Sequence, residues 1–315
     1  MTTRIADHAT TSSFSDIGGI LAELKSLRAA SQKIRYHGAA PPELPSREAV
    51  SEIIEGLVSI LYPRHFGPPG LTTEKTDEFL ERTLDRSLNT LQDQIRRELE
   101  LFALNGAPDG ADQLVKAFDI TSAFAARLPK VRALLDTDIR AAFQGDPAAK
   151  SLDEIVFCYP GVAAVIRHRL AHELYLLGAP MLARIIAEIA HSQTSIDIHP
   201  GAEIGESFFI DHGTGVVIGE TAIIGRNVRL YQAVTLGAKR FETDETGALV
   251  KGKPRHPILE DDVVIYAGAT VLGRITIGRG SSIGGNVWLT RDVPAGSSIT
   301  QAKARNETFD DGAGI

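Results

Sequence analysis

The chain has 315 residues, enough for about two domains, and its 43% hydrophobic and 23% charged residues are typical of globular proteins and exclude a wholly disordered chain. Its formal net charge is -7, with no concentrated basic stretch and no run of 18 apolar residues, so we expect neither nucleic-acid nor membrane binding. Because the only cysteine is Cys158 and the first fifteen residues lack an apolar core, we expect no internal disulfide, no secretory signal and a cytoplasmic location.

The N-terminal half has the pattern of an all-helical domain. We expect a disordered segment over residues 1–15 and helices over residues 16–194. Between residues 80 and 102, large apolar residues recur at spacings of three and four, which places them on one face of an amphipathic helix. Ser151 and Glu154 are spaced as a capping box that opens a further helix.

After residue 194 the hydrophobic period changes to six residues. A fixed six-residue period with intervening glycines is typical of a parallel β-helix, in which three short strands make a coil of about 18 residues. We therefore predict an α+β protein with a β-helix over residues 195–300, and a β-sandwich is the alternative. One apolar row comprises Ile198, Ile204, Ile210, Val216, Ala222, Val228 and Val234, and a second lies two positions later at Ile218, Ile224, Leu230 and Leu236.

Two segments depart from this period. Residues 238–254 are charged, contain glycine and lack an apolar row, so we interpret them as a loop extruded from one coil. Long loops in compact domains are often functional. Residues 301–315 are predicted to form a flexible C-terminal tail, because they are acidic and poor in large apolar residues.

Histidines near the start of the predicted β-helix are candidate catalytic groups. His212 lies in the glycine-flanked stretch DHGTG, and Asp197 lies fifteen residues earlier, close to one coil away. A carboxylate beside a histidine fixes its tautomer and stabilises its charged form, as in a catalytic dyad. The residues alone leave three alternatives open, namely a solvated corner histidine, a His–Asp pair that forms only a structural hydrogen bond, and a metal site formed by His199, His212 and His256.

Four motifs give a more specific pattern: DIHP at 197–200, DHGTGVVIGET at 211–221, VTLG at 234–237 and RHP at 255–257. In this order, within one hexapeptide domain, they resemble the serine O-acetyltransferase family of hexapeptide-repeat acyltransferases. The resemblance runs from about Asp138 to Ile315. It implies a left-handed β-helix and transfer of acetyl from acetyl-CoA to the L-serine hydroxyl, giving O-acetyl-L-serine in the first step of cysteine biosynthesis. It also implies a homotrimer or a dimer of trimers, with acetyl-CoA bound between subunits and no metal.

The resemblance also implies a set of site residues. A hydroxyl is a weak nucleophile, so a base must take its proton, and such a base contributes about 10² to 10⁴ in rate. No serine or cysteine stands in a nucleophile setting, which favours direct transfer in a ternary complex. The implied residues are His212 as general base, Asp197 as its orienting carboxylate, Asp138 and Asp211 on the serine ammonium group, Arg255 and His256 on its carboxylate, and Gly237, Ala267 and Gly285 at CoA.

Two partners and two rival functions complete these expectations. The resemblance implies feedback inhibition by L-cysteine, and insertion of Ile315 at the C-terminus into the active site of O-acetylserine sulfhydrylase. One rival is a CoA-dependent hexapeptide acyltransferase that acts on homoserine or an amino sugar. The other is a noncatalytic or metal-binding β-helix.

Overall fold

A computed structural model describes residues 17–103, 110–240 and 243–301 of the chain. The predicted disordered segment and the tail beyond residue 301, with Ile315, therefore lie outside the described residues. In the described part, helices precede a series of short strands. The helices are α1 (Ile17–Arg35), α2 (Arg47–Leu61), α3 (Pro63–Phe66), α4 (Thr73–Ala103), α5 (Gly110–Gly145), α6 (Leu152–Cys158), α7 (Pro160–Leu176) and α8 (Pro180–Thr194).

Local sequence explains where these helices begin and end. The Ser151 hydroxyl caps α6 by accepting a hydrogen bond from the Glu154 N–H, which is one half of the expected capping box. The Glu154 carboxylate accepts the N–H of Lys150, one residue before the N-cap. Helices α7 and α8 begin with proline, whose missing N–H costs nothing in the first turn. Helix α8 ends at Thr194, and its C-cap residue Ser195 has a left-handed φ of 58°. None of the described helices is both long and apolar enough to cross a bilayer.

The strands wind into a parallel β-helix with three faces. We call its three sheets A, B and C, and the chain visits them in that order. Sheet A contains β1 (Asp197–Ile198), β4 (Val217–Ile218), β7 (Thr235–Gly237), β10 (Thr270–Leu272) and β13 (Trp288–Leu289). Sheet B contains β2 (Glu203–Ile204), β5 (Ile223–Ile224), β8 (Ile258–Leu259) and β11 (Thr276–Ile277). Sheet C contains β3 (Phe209–Ile210), β6 (Arg229–Leu230), β9 (Val264–Ile265), β12 (Ser282–Ile283) and β14 (Ser298–Ile299).

The two predicted apolar rows form the core of the β-helix. Ile204 is half-buried, and the other residues of both rows between 198 and 236 are buried. The length of a coil is not constant. Asp197 pairs with Val217, twenty residues later, whereas Val217 pairs with Thr235, eighteen residues later. Before the turn that contains His212, the buried strand residues therefore belong to the first apolar row, and after this turn they belong to the second row. Two extra residues widen this turn.

The extruded loop leaves the coil between β7 and β8. Within it, Thr243 and Leu249 form an isolated antiparallel bridge. Strands β7 and β10 pair directly on either side of the loop, with Thr235 opposite Thr270. The insertion therefore leaves the ladder of sheet A continuous.

Candidate functional site

Two edges of the three-sided β-helix carry the predicted site residues. The C–A edge consists of the turns from sheet C to sheet A, at residues 211–216, 231–234, 266–269 and 284–287. The A–B edge consists of the turns from sheet A to sheet B, at residues 199–202, 219–222, 238–240 with 243–257, and 273–275. The face formed by sheet A separates these two edges.

His212 stands at the C–A edge in the widened turn. Its φ is 58° and its side chain is 70% exposed, so the imidazole points away from the core. The next residue, Gly213, has a φ of 90°, and a β-carbon there would lie 2.4 Å from Ile196 Cδ1. The glycine therefore lets the turn pack against Ile196 at the start of the β-helix, while His212 stays exposed at the C–A edge.

The carboxylate nearest to His212 in the chain is that of Asp211. His212 Nε2 lies 3.9 Å from Asp211 Oδ1. Among the described residues Asp197 makes no ion pair with His212, so the expected dyad is not formed in this structure. Asp197 lies instead with Glu188 and His191, and one possible ligand atom from each residue lies within 4.8 Å of the other two.

The helical domain brings a further aspartate to the same edge. Asp146 follows α5, and its carboxylate accepts hydrogen bonds from the Tyr159 hydroxyl at 2.5 Å and the Ala148 N–H at 2.8 Å. These two bonds hold the pKa of Asp146 below its usual range, and the neighbouring Arg229 acts in the same direction. Asp146 also interacts electrostatically with His212. Asp146 was not among the site residues expected from the sequence, although it lies only eight residues after Asp138.

Asp138 itself is a structural residue in this fold. Its side chain is only 3% exposed, and Arg169 donates to both of its carboxylate oxygens, at 2.6 and 2.8 Å. The Phe208 N–H adds a third bond, and Arg169 also donates to two carbonyls near β2. The expectation that Asp138 holds serine is therefore corrected, since the ion pair uses the carboxylate to clamp α5 and α7 onto the β-helix.

The A–B edge gathers the predicted carboxylate-binding residues. The Arg255 guanidinium forms an ion pair with Glu220 at 2.6 Å. The Thr221 hydroxyl accepts from the backbone N–H groups of both Arg255 and His256, which anchors the end of the extruded loop to the turn below it. Partial burial is the largest single influence on Glu220 and opposes its ionised form, but the hydrogen bonds and charges of its neighbours, Arg255 first among them, together outweigh it and lower the pKa of Glu220.

His256 is held neutral and in one tautomer. Its Nδ1 accepts the Thr221 N–H at 3.0 Å, so the proton of the neutral ring is on Nε2. Burial, with help from the adjacent Arg255, lowers the pKa of His256 to about 4. A β-carbon on Gly219 would lie 2.1 Å from His256 Nε2, so only glycine accommodates this ring position.

The predicted CoA contacts divide between the two edges. Ala267 and Gly285 stack on consecutive coils of the C–A edge, where the Asn286 N–H donates to the Ala267 carbonyl at 2.9 Å. Gln232 lies on the same edge one coil before Ala267, and its buried Oε1 has no hydrogen-bond partner among the described residues. Gly237 lies instead beside the A–B edge, where its carbonyl accepts the Gly273 N–H at 3.0 Å.

The three histidines of the metal alternative are not grouped. His199 and His256 belong to the A–B edge, whereas His212 belongs to the C–A edge. Partial burial, with Arg184 nearby, lowers the pKa of His199, and its Nδ1 already accepts the Gly201 N–H at 3.0 Å. In one chain these imidazoles cannot share an ion.

Comparison with known proteins identifies the family. The family model for the bacterial transferase hexapeptide repeat matches residues 256–291. A plasmid serine acetyltransferase of Synechococcus elongatus is 62% identical over 275 residues, which cover 86% of this chain and 86% of the relative. The chain belongs to the serine acetyltransferase family. This confirms the family inferred from the four motifs.

Solved serine acetyltransferases share the fold. Isoform 3 of Entamoeba histolytica, in complex with cysteine, aligns with a TM-score of 0.68 and 34% identity over 92% of this chain and 94% of that one. The Neisseria gonorrhoeae enzyme, in complex with serine, aligns with a TM-score of 0.52 and 26% identity over 81% and 97%. The predicted helical domain followed by a left-handed hexapeptide β-helix is thereby confirmed for this chain.

Proposed function

We propose that the chain transfers an acetyl group from acetyl-CoA to the hydroxyl of L-serine, with His212 as general base. The observation that carries this proposal is that the candidate site residues lie on two edges of the β-helix, each with its own chemistry. The C–A edge presents an exposed imidazole beside carboxylates, and the A–B edge presents a guanidinium beside a neutral N–H donor. Together they match the hydroxyl, ammonium and carboxylate groups of serine.

His212 takes the serine proton as the new bond forms. The serine oxygen attacks the thioester carbonyl carbon, the C–O bond forms and the C–S bond breaks. The proton passes from the hydroxyl to His212 and then to the departing thiolate, so that O-acetyl-L-serine and CoA are released. Asp211 is better placed than Asp197 to stabilise the imidazolium, because it is the carboxylate facing His212 within the chain.

The charged ends of serine bind to opposite edges in this scheme. Asp146 and Asp211 attract the ammonium group, and Asp146 is held ionised by its two hydrogen-bond donors. Arg255 offers a planar fork to the carboxylate, and His256 offers its Nε2 proton. Because His256 is neutral with a pKa of about 4, it acts as a donor and not as a competing base.

Acetyl-CoA would lie along the C–A edge. From His212 to Gly285 this edge spans four coils, or roughly 14 Å at the usual spacing of about 4.8 Å between strands. An extended thiol-bearing arm fits such a strip, with its acetyl end at His212 and its amides near Ala267 and Gly285. Gly237 would then contact CoA from the opposite wall.

Purified protein should release CoA from acetyl-CoA with L-serine and far less with L-homoserine or amino sugars. A thiol-trapping assay measures this release, and a preference for homoserine or an amino sugar would replace the serine assignment. Metal content is measured on the same sample. Stoichiometric zinc without CoA release would support the metal-binding alternative.

The two walls of the site must come from different subunits. Within one chain a sheet face separates His212 from Arg255, so a homotrimer that sets the C–A edge of one copy against the A–B edge of the next would complete each site. Two such trimers can pair through their helical domains, which is the dimer of trimers expected from the resemblance.

Mixing two inactive variants tests this arrangement. His212→Asn and Arg255→Ala chains should each be nearly inactive, but co-expressed chains should recover activity at roughly a quarter of the sites, since each site draws its walls from neighbouring copies at random. Co-expressing His212→Asn with a second His212→Asn chain is the control. Absence of recovery in mixed trimers of verified composition would contradict the intersubunit site.

L-Cysteine should compete with serine for Arg255. The two amino acids share the ammonium and carboxylate groups, so Arg255→Ala should raise the KM for serine at least about tenfold and weaken cysteine inhibition by a similar factor. Initial rates over serine and cysteine concentrations measure both effects. Arg226→Ala, which removes an exposed guanidinium paired with Asp261, is the matched control. If Arg255→Ala lost serine binding but kept unchanged inhibition by L-cysteine, the two amino acids would not share this binding site.

Ile315 should anchor the chain to O-acetylserine sulfhydrylase. A free carboxylate on an apolar side chain imitates an amino-acid ligand, so deleting Ile315 alone should weaken the complex at least about tenfold, and O-acetylserine should compete with it. Calorimetric titration of full-length protein, the deletion variant and Phe309→Ala measures the difference. Equal binding by all three would remove Ile315 from the interface.

A further inference from the structure

Helix α1 carries a row of exposed apolar side chains. None of its 19 residues is buried, and Ile17, Ile20, Leu24, Leu27 and Ile34 are each more than half exposed. Covering such side chains removes apolar surface from water, which stabilises the state in which they are covered. Most helical stability in proteins comes from packing an apolar face, and the described part of the chain buries no residue of this helix.

The spacing along α1 is that of a coiled-coil seam. The apolar residues from Ile17 to Leu27 are spaced by three, four and three residues, and Ile34 follows seven residues later with the polar Ser31 at the intervening position. The charged residues of the helix all lie outside the row. A seven-residue repeat drifts slowly around a straight helix, so it is satisfied by helices that wrap around one another. In heptad notation, positions a are Ile17, Leu24 and Ser31, and positions d are Ile20, Leu27 and Ile34.

The flanking charges favour parallel copies of the same helix. Glu23 occupies position g, and Arg28 occupies position e of the next heptad. In parallel coiled coils these two positions face each other across the interface, so each helix would offer Glu23 to one neighbour and Arg28 to another copy. Parallel copies are related by a rotation axis along the helices, which is compatible with a cyclic oligomer.

We propose that α1 is a self-association helix that binds the same helix of further copies of this chain in a parallel, in-register coiled coil. The partner is the chain itself, because the seam and the charge pair are self-complementary. This assignment does not depend on the acetyl-transfer reaction.

Cysteine crosslinking of the full chain tests the orientation. In a Cys158→Ser background, which removes the one native thiol, Ile20→Cys and Ile34→Cys each place a single thiol at opposite ends of the seam, roughly 21 Å apart along the helix. A short bismaleimide should crosslink each variant to itself. Ala22→Cys, on the outer face at position f, is the matched control and should crosslink at least tenfold less.

Further substitutions test the seam and its charges. Adding Leu24→Asp to the Ile34→Cys chain should abolish its crosslink, whereas adding Ala29→Asp on the outer face should not. In the Ile34→Cys chain, Glu23→Arg alone or Arg28→Glu alone should lower the yield of the crosslink. The two substitutions together should restore this yield.

Three results would overturn the proposal. They are equal crosslinking from Ala22→Cys, no crosslink from both seam variants, and crosslinks that form only when Ile20→Cys and Ile34→Cys chains are mixed, which indicates antiparallel helices. Binding of the full chain to anionic lipid vesicles that is lost in Leu24→Asp, without any seam crosslink, would assign the apolar row to a membrane surface instead.

Discussion

His212→Asn is expected to lower kcat by about 10² to 10⁴, because the serine hydroxyl loses the group that takes its proton. Asparagine is chosen because it tolerates the left-handed backbone found at this position, where φ is 58°. The change therefore removes the base with little strain in the turn. Steady-state rates at saturating serine and acetyl-CoA measure the effect.

A matched control separates chemistry from folding. His37 has a φ of 51°, is exposed and lies outside both edges of the β-helix, so His37→Asn repeats the same substitution in the same backbone conformation. It should leave kcat unchanged. A His212→Asn protein that folds, binds acetyl-CoA and turns over at a near-normal rate would rule out the general-base role.

Asp138→Ala is expected to destabilise the protein by about 3–5 kcal/mol, because it leaves the Arg169 guanidinium buried without its partner. Urea unfolding at matched protomer concentration measures this loss, since the stability of an oligomer depends on concentration. Asp112→Ala breaks the exposed pair with Lys116 and should cost no more than about 1 kcal/mol.

For Asp146 we expect the opposite pattern, with little effect of substitution on stability and a clear effect on serine binding. Asp146→Asn should change the free energy of unfolding little, because the side chain lies at the surface of the C–A edge. It should instead raise the KM for serine, since the ammonium group loses an ionised partner. If Asp138→Ala proved neutral for stability and selectively weakened serine binding, the assignment of these two aspartates would have to be reversed.

Periodic features of the fold could be predicted from the sequence. The six-residue rows predicted the β-helix because each row position is buried in every coil, so burial leaves a repeating trace. The N-cap at Ser151 was predictable for a similar local reason. The loss of the apolar period after Gly237 predicted the extruded loop. The structure agrees, because sheet A continues past the loop with Thr235 paired to Thr270.

The partners of the site residues could not be predicted in this way. The sequence alone does not show that Asp138 meets Arg169, because the two lie on helices whose packing depends on long-range contacts. Asp146 and Tyr159 are brought to His212 by the same packing. One available signal was overlooked, namely that the change from the first apolar row to the second marks the widened turn of His212.

The stacking of coils has a consequence for how the affinities for the two substrates can change. In a β-helix each coil is bonded only to the coils before and after it, so its free energy is close to a sum of nearest-neighbour terms. The proposed serine wall is built by the early coils and the end of the loop, whereas the proposed acetyl-CoA wall extends to Gly285 in a late coil. Substitutions in distant coils should therefore be nearly additive. Affinity for one substrate can drift during evolution while affinity for the other is preserved.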